Sequence, residues 1–152
     1  RVDVSTLSLV LLTLGAAGFI GTTVIGRFLT IGFYGTLTII PVLMAAIAVL
    51  LMAVGTSVYA TTVLLGIWGL VATAAPVGWW LWIARTLPHE AEAGGGLMVA
   101  VVQLSIALGS TLGGLLFDGS GYRSTFAFSA ALLLVGAVLV VLTAHADRRT
   151  ST

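Results

Sequence analysis

Charged residues divide the chain into long apolar stretches. Residues 4–26, 28–84, 93–117 and 124–144 contain no acidic, basic or histidine side chain. A helix that crosses a bilayer needs about 20 consecutive, mostly apolar residues. Three stretches fit one span each, and the stretch 28–84 fits two. The pattern therefore predicts an all-α integral membrane protein with five transmembrane helices.

Turn-forming residues set the predicted boundaries. The only cluster of small polar residues in the middle of 28–84 is Gly55-Thr56-Ser57, so we place a break there. Five spans are then expected at about 4–27, 32–54, 57–84, 94–117 and 124–144. The third is long, and we expect it to tilt or to bend at Pro76. After Arg85, the segment Pro88 to Glu92 and the glycines 94–96 predict a helix stop and restart.

Composition excludes several functional classes. Hydrophobic residues make up 59% of the chain and charged residues 7%, against roughly 45–50% and about 25% in soluble domains. A soluble enzyme is therefore excluded, and a net charge of +1 without a basic cluster excludes a nucleic-acid partner. There is no cysteine, and His89 and His145 show no metal-ligand spacing. We expect no catalytic residue, metal or cofactor, and membrane lipid as the surrounding partner.

Arginine placement predicts the orientation. If the spans alternate, Arg27, Arg85, Arg148 and Arg149 lie on one side, and Arg1 and Arg123 on the other. The side with more arginines is expected to be cytoplasmic, so the C-terminus is predicted inside and the N-terminus outside. A first span that begins outside without a basic leader suggests that an earlier part of a larger protein is missing.

The fourth predicted span carries a stripe of small and polar residues. Its members recur at steps of three and four: Ala100, Gln103, Ala107, Ser110 and Gly114. Gln103 lies about 13 Å from the nearer end of the span. Its amide cannot face lipid there without a cost of several kcal/mol. An interhelical hydrogen bond and a substrate contact both remain open. Gly109 and Gly113 form a GxxxG pair that permits close helix contact.

The first and third predicted spans carry similar stripes. The first contains Ser8, Gly15, Gly18, Thr22 and Gly26, and the third contains Thr62, Gly66, Gly69, Thr73, Pro76 and Trp80. Either a cavity wall or tight helix packing explains them, and packing is favoured for the glycines. Trp79, Trp80 and Trp82 fit an aromatic belt near the membrane surface, whereas Trp68 lies deeper. Thr13 is a weaker candidate, because a Thr hydroxyl usually bonds to its own helix.

These positions define a candidate substrate cavity. We expect Gln103 and Trp68 to face one internal space, with Thr73 and Ser110 nearby. The complete set of candidate cavity residues is Thr13, Trp68, Thr73, Trp79, Gln103 and Ser110. The second and fifth spans have no polar stripe, so they are predicted to be lipid-facing supports.

Several segments resemble exporters of the major facilitator superfamily, in its drug:proton antiporter branch. The segments that carry the resemblance are Leu9–Leu12, Phe19–Thr22, Ile67–Gly69, Ala75-Pro76-Val77-Gly78-Trp79, Trp82–Arg85, Ala91-Glu92, Val99-Ala100-Val101-Val102-Gln103-Leu104, Gly113-Gly114, and Asp118 with Gly121. The resemblance covers nearly the whole chain. It departs from the family after Arg27, where the several basic residues of the family's loop are missing.

The resemblance implies a truncated C-terminal bundle, spans eight to twelve of a twelve-span transporter, with the N-terminal half and the seventh span absent. In this family spans seven, eight, ten and eleven line the cavity, which corresponds to the first, third and fourth spans here. The implied protein is a multi-pass protein of the bacterial inner membrane. Its implied function is efflux by proton antiport. Purine nucleosides are the favoured substrate, and a sugar or a drug is the alternative.

Two other functions are weighed against export. The chain could be a truncated structural membrane protein that transports nothing. A membrane enzyme would need an ionisable side chain at mid-depth, and none occurs there. For the same reason we expect that this chain alone cannot perform proton-coupled export, because all its acidic and histidine residues lie at predicted span ends or in loops.

Overall fold

A computed structural model describes residues 3–150, and six helices account for nearly all of them. They are α1 (Val4–Ile31), α2 (Phe33–Val54), α3 (Val58–Ala72), α4 (Ala74–Thr86), α5 (Ala91–Ser120) and α6 (Tyr122–Thr150). The helices α3 and α4 together form one span, so five segments are long and apolar enough to cross a membrane. The described residues contain no strand. The prediction of an all-α membrane protein with five transmembrane helices is confirmed.

The backbones of α1 and α3 lie in direct contact. A Cβ atom added at Gly21 would collide with the backbone carbonyl of Leu70, and one at Gly69 would collide with that of Leu14. Gly18 is also buried, and a Cβ atom there would lie 2.9 Å from the Thr73 methyl group. Glycine permits such an approach because it has no side chain. Gly18 and Gly69 of the predicted stripes, together with Gly21, therefore pack the two helices, whereas Gly15 and Gly26 meet nothing within 4 Å.

Helix α2 forms the centre of the bundle rather than a lipid-facing support. It contacts α1, α3, α4 and α6. Its buried residues are Leu37, Ile40, Ala45, Ile47, Ala48 and Leu51. One apolar cluster joins Leu37 and Ile40 to α1 and α3, and a second joins Ala45 and Ala48 to Ala130 of α6. A helix that is apolar on every face is typical of a buried helix as well as of a lipid-exposed one, so its composition alone did not separate the two.

The third predicted span breaks at Thr73. Pro76 has no backbone N–H to donate to the carbonyl of Ala72, and its ring crowds that carbonyl. Thr73 lies between α3 and α4 with φ −73° and ψ −18°. Its hydroxyl donates to the carbonyl of Gly69 at 2.8 Å and to that of Gly18 at 2.9 Å. The helix is thus interrupted three residues before Pro76, at a residue whose hydroxyl is hydrogen-bonded to α1.

Helix α5 is held mainly at its two ends. Near its start, a Cβ atom at Gly95 would lie 2.7 Å from the Trp80 ring, and one at Gly94 would lie 3.0 Å from Leu87. Near its end, Thr125 donates to the carbonyl of Gly113 at 3.2 Å. Between these contacts, residues 99–112 are all exposed. The glycines 94–96 therefore lie inside the helix, where two of them allow close packing, and do not restart it.

The helix ends differ from the predicted ones by a few residues. The helix α1 continues past Arg27 to Ile31, α5 runs from Ala91 to Ser120, and α6 extends to Thr150. The break between α2 and α3 lies at residues 55–57, as predicted. Gly121 alone separates α5 from α6 and has φ +77°, which side chains rarely allow. Arg1, which entered the arginine comparison, lies outside the described residues.

The start of α1 is capped by Asp3. Its carboxylate accepts a hydrogen bond from the backbone N–H of Thr6 at 3.0 Å. Hydrogen bonds from the side chain and the backbone of Thr6 hold the pKa of this exposed carboxyl below its usual value. The ionised form suits the N-terminus of a helix, where the backbone N–H groups lack partners.

Replacing Gly21 with alanine should destabilise the bundle. The added methyl group meets the Leu70 carbonyl, so we expect a loss of about 1–3 kcal/mol in the free energy of unfolding. Gly26→Ala is the matched control, because a Cβ atom at Gly26 meets nothing within 4 Å. SDS-induced unfolding of the protein in mixed micelles, followed by tryptophan fluorescence, measures both. Equal stability of the two variants would contradict the backbone contact.

Candidate functional site

Thr13 and Thr73 lie at the contact between α1 and α3. The Thr13 hydroxyl donates to the carbonyl of Leu9 at 2.8 Å, and its methyl group lies beside Gly66. The Thr73 hydroxyl is shared between the carbonyls of Gly69 and Gly18. Both hydroxyls therefore satisfy backbone carbonyls, as expected from the sequence for Thr13. Neither supplies a free donor to a substrate in this arrangement.

Trp68 and Trp79 pack into two different apolar clusters. Trp68 is half-buried against Ala45 and Ala48 of α2 and Ala130 of α6. Trp79 packs against the cluster that joins α1, α2 and α3, and its ring meets Trp82 edge-on with centroids 6.1 Å apart. Trp68 therefore faces α2 and α6, whereas Thr73 faces α1.

Gln103 and Ser110 lie on an open side of α5. Both are exposed, as are the other members of the stripe. Ser110 donates to the carbonyl of Ile106, whereas the described residues offer Gln103 no side-chain hydrogen bond. A Cβ atom at Gly109 or Gly114 would meet nothing within 4 Å. An amide at mid-depth needs a partner, so this side of α5 is suited to contact something other than the described helices.

A groove of about 400 Å³ separates α4 from α5. It lies on the face of α5 that is opposite to the stripe. Its lining residues are Trp79, Trp82, Ile83, Leu87, Gly94, Leu97, Met98, Val101 and Val102. Successive helical residues are about 100° apart, which places Gln103 nearly opposite these α5 residues. The Trp82 indole N–H already donates to Tyr34 at 3.2 Å. The groove therefore offers apolar contact and almost no hydrogen bonding.

A hydrogen-bonded cluster joins three helices at one end of the bundle. The Tyr34 hydroxyl of α2 donates to the Asp147 carboxylate of α6 at 3.0 Å and accepts from Trp82 of α4. Next to it, the Arg85 guanidinium lies 4.7 Å from the centre of the Phe33 ring. Cation–π contacts of this kind stabilise by about 0.5–1 kcal/mol when exposed. Arg85, Asp147 and the start of α2 thus share one end of the bundle.

Sequence reasoning missed this cluster. Tyr34 and Asp147 are 113 residues apart, and neither belongs to a stripe. The available signal was that Tyr34, Trp82 and Asp147 all lie near span ends on the arginine-rich side. Among residues 3–150 no group of acidic and histidine side chains is arranged to hold a metal ion.

The amino-acid sequence is similar to those of longer bacterial proteins, of which three are described. It is 64% identical over 138 residues to the transcription regulatory protein OpdE of Pseudomonas aeruginosa strain PAO1. It is 38% identical over 142 residues to the purine ribonucleoside efflux pump NepI of Salmonella paratyphi B strain SPB7. The NepI of Shigella sonnei strain Ss046 is 39% identical over 138 residues. Each match covers 91% of this chain.

The chain spans about a third of the length of these relatives, 34% of OpdE and 35% of each pump. No protein-family model and no solved structure matches it. The similarity therefore relates nearly all of this chain to one part of much longer proteins, two of which are named efflux pumps.

Replacing Tyr34 with phenylalanine should loosen the end of the bundle. The substitution removes the hydroxyl that links Trp82 to Asp147, and we expect a loss of about 0.5–1.5 kcal/mol in unfolding free energy, because these bonds are exposed or only partly buried. Tyr59→Phe is the matched control, because Tyr59 is 81% exposed. Unfolding in mixed micelles measures both variants. If Tyr34→Phe is no more destabilising than Tyr59→Phe, the cluster contributes nothing to stability.

Proposed function

We propose that this chain forms the last five spans of a twelve-span exporter of the major facilitator superfamily, in its drug:proton antiporter branch. In this proposal the full-length protein exports purine nucleosides from a bacterium by proton antiport. The similarity to pumps named for purine ribonucleosides, across 91% of the chain, carries the proposal. Five helices long enough to cross a membrane support it.

The exposed side of α5 supports the assignment of a cavity wall. The helix α5 is exposed on every face from residue 99 to residue 112, and its stripe lies nearly opposite the residues that line the α4–α5 groove. In this proposal the stripe faces the substrate pathway, which the remaining spans complete. The Gln103 amide has both donors and an acceptor, as recognition of a base edge or a ribose hydroxyl requires. In this proposal Thr13, Trp68, Thr73 and Trp79, which belong to α1, α3, the α3–α4 junction and α4, line the pathway only in part.

The proton carrier of the proposed antiport lies elsewhere in the full-length protein. A proton carrier within a membrane is usually a carboxylate or a histidine that faces the pathway. In the described spans, every such side chain lies within about two turns of a helix end. Transporters of this type also rock two halves about a site between them. In this proposal the chain supplies one wall of the site, and the rest of the protein supplies the proton step.

A second candidate function rests on the relative named as a transcription regulatory protein, which is 64% identical. In this alternative the membrane bundle influences transcription without moving a solute itself. The two functions differ in what a purified protein does. An exporter moves labelled nucleoside in vesicles that contain no other protein, whereas a regulator without transport activity does not.

Gln103→Leu should weaken export more than expression. In the full-length protein in vesicles with an imposed pH gradient, we expect nucleoside flux to fall about tenfold or more. Loss of one polar contact to a bound substrate costs about 1–3 kcal/mol when its partner stays unpaired. Flux per folded protein, with folded protein measured by size-exclusion chromatography, is the readout.

Two serine variants control this experiment. Ser105 and Ser110 both donate to a carbonyl of their own helix, but Ser110 lies on the stripe and Ser105 lies on the side of the α4–α5 groove. Ser110→Ala should lower flux, and Ser105→Ala should leave it unchanged. If Gln103→Leu reduces folded protein while flux per molecule is normal, Gln103 serves interhelical packing instead. A drug or a sugar that competes with nucleoside flux would identify the alternative substrates.

We also propose that the C-terminus lies in the cytoplasm and that the protein resides in the bacterial inner membrane. Four arginines belong to the end at which α1, α4 and α6 finish: Arg27, Arg85, Arg148 and Arg149. At the opposite end of the bundle, the described residues include one arginine, Arg123. Cytoplasmic loops carry an excess of basic residues.

A C-terminal reporter tests this orientation. Green fluorescent protein fused after Thr152 should fluoresce, and alkaline phosphatase fused at the same place should be inactive. Fusions in the turn between α5 and α6 should give the opposite pair of results. Active phosphatase at the C-terminus would reverse the proposed orientation.

A further inference from the structure

A second groove runs between α2 and α6 on the outer surface of the bundle. Its volume is about 380 Å³. Its lining residues are Tyr34, Gly35, Thr38, Ile39, Val42, Val141, Ala144, His145 and Arg148. Ile39 and Val42 are exposed, and Ala144 is buried at its base. The groove is thus open along its length to whatever surrounds the bundle.

The groove changes from cationic to apolar along its length. Because α2 and α6 run antiparallel, Tyr34 lies beside His145 and Arg148 at the charged end, and Val42 lies beside Val141 further in. From Tyr34 to Val42 the helix rises about 12 Å. A molecule with an anionic head and a long apolar chain matches this order of residues.

The charge at the mouth is available for a ligand. Arg148 is exposed, and the described residues give it no hydrogen bond or ion pair. His145 donates from Nδ1 to the carbonyl of Val141 at 2.7 Å, which fixes its ring. The Asp147 carboxylate opposes an anion here, but it already accepts from Tyr34. Arg85, over the Phe33 ring, adds a second positive charge at the same end of the bundle.

The geometry points to a binding site for one anionic phospholipid of the surrounding membrane. The phosphate pairs with Arg148, and one acyl chain lies along the groove over Gly35 and Ala144. Gly35 is exposed and a Cβ atom there would meet nothing within 4 Å, so the groove has free space beside this residue. Basic pockets between transmembrane helices are suited to anionic head groups, and each basic side chain near the surface contributes about 1 kcal/mol to such binding.

The test measures which lipid the protein retains. The protein that carries this chain is equilibrated with equal amounts of phosphatidylglycerol and phosphatidylcholine, and the retained lipids are counted by native mass spectrometry. We expect the wild type to retain phosphatidylglycerol in preference. Arg148→Gln should weaken its binding about fivefold, and Gly35→Leu should abolish retention at this site by filling the groove.

Arg27→Gln is the matched control. Arg27 lies at the same end of the bundle but does not line the groove, so its variant should bind as the wild type does. Equal retention of the two lipids, or equal losses in Arg27→Gln and Arg148→Gln, would overturn the proposal. The proposal also fails if Gly35→Leu leaves lipid retention unchanged and alters the association of copies, because the groove would then be a protein contact.

Discussion

The backbone contact between α1 and α3 fixes the spacing of the bundle. Within a membrane, the lipid tails are as apolar as the helices, so association depends on close packing instead of the hydrophobic effect. Gly18, Gly21 and Gly69 bring the two backbones together. That approach places Ile25 and Leu29 of α1 in one apolar cluster with Val71 of α3 and with α2. The position of α2, and through it that of α6, thus depends on three glycines, which have no side chain to hold the helices apart.

Much of the fold was predictable because each span must satisfy its own backbone hydrogen bonds. Span number, the break at residues 55–57 and the interruption near Pro76 follow from apolar length and from residues that interrupt a helix. The central place of α2 was not predictable, since its apolar surface looks the same toward lipid or protein. The pairing of Tyr34 with Asp147 depends on how distant helices meet, which periodicity does not encode.

The sequence predicted one internal space, and the described residues carry its candidate side chains on separate helix faces. Gln103 and Ser110 lie together on α5, as their spacing required. Trp68 faces α2 and α6, whereas Thr73 faces α1. Each residue along a helix is rotated by about 100° from the one before it, so these two positions point in different directions. Each relative is about three times as long as the part that this chain matches. A single cavity formed by all six residues stays a prediction.

The break at Thr73 also has a mechanical meaning. The Thr73 hydroxyl donates to the Gly18 carbonyl, so the junction between α3 and α4 is bonded to α1. Any change in the angle between α3 and α4 must either carry α1 along or break that bond. Beyond the joint, α4 carries Trp79, Trp80 and Trp82, and Trp80 rests on Gly95 of α5. The Thr73 hydrogen bond and the Trp80–Gly95 contact thus form one continuous path of contacts from α1 through α4 to the start of α5.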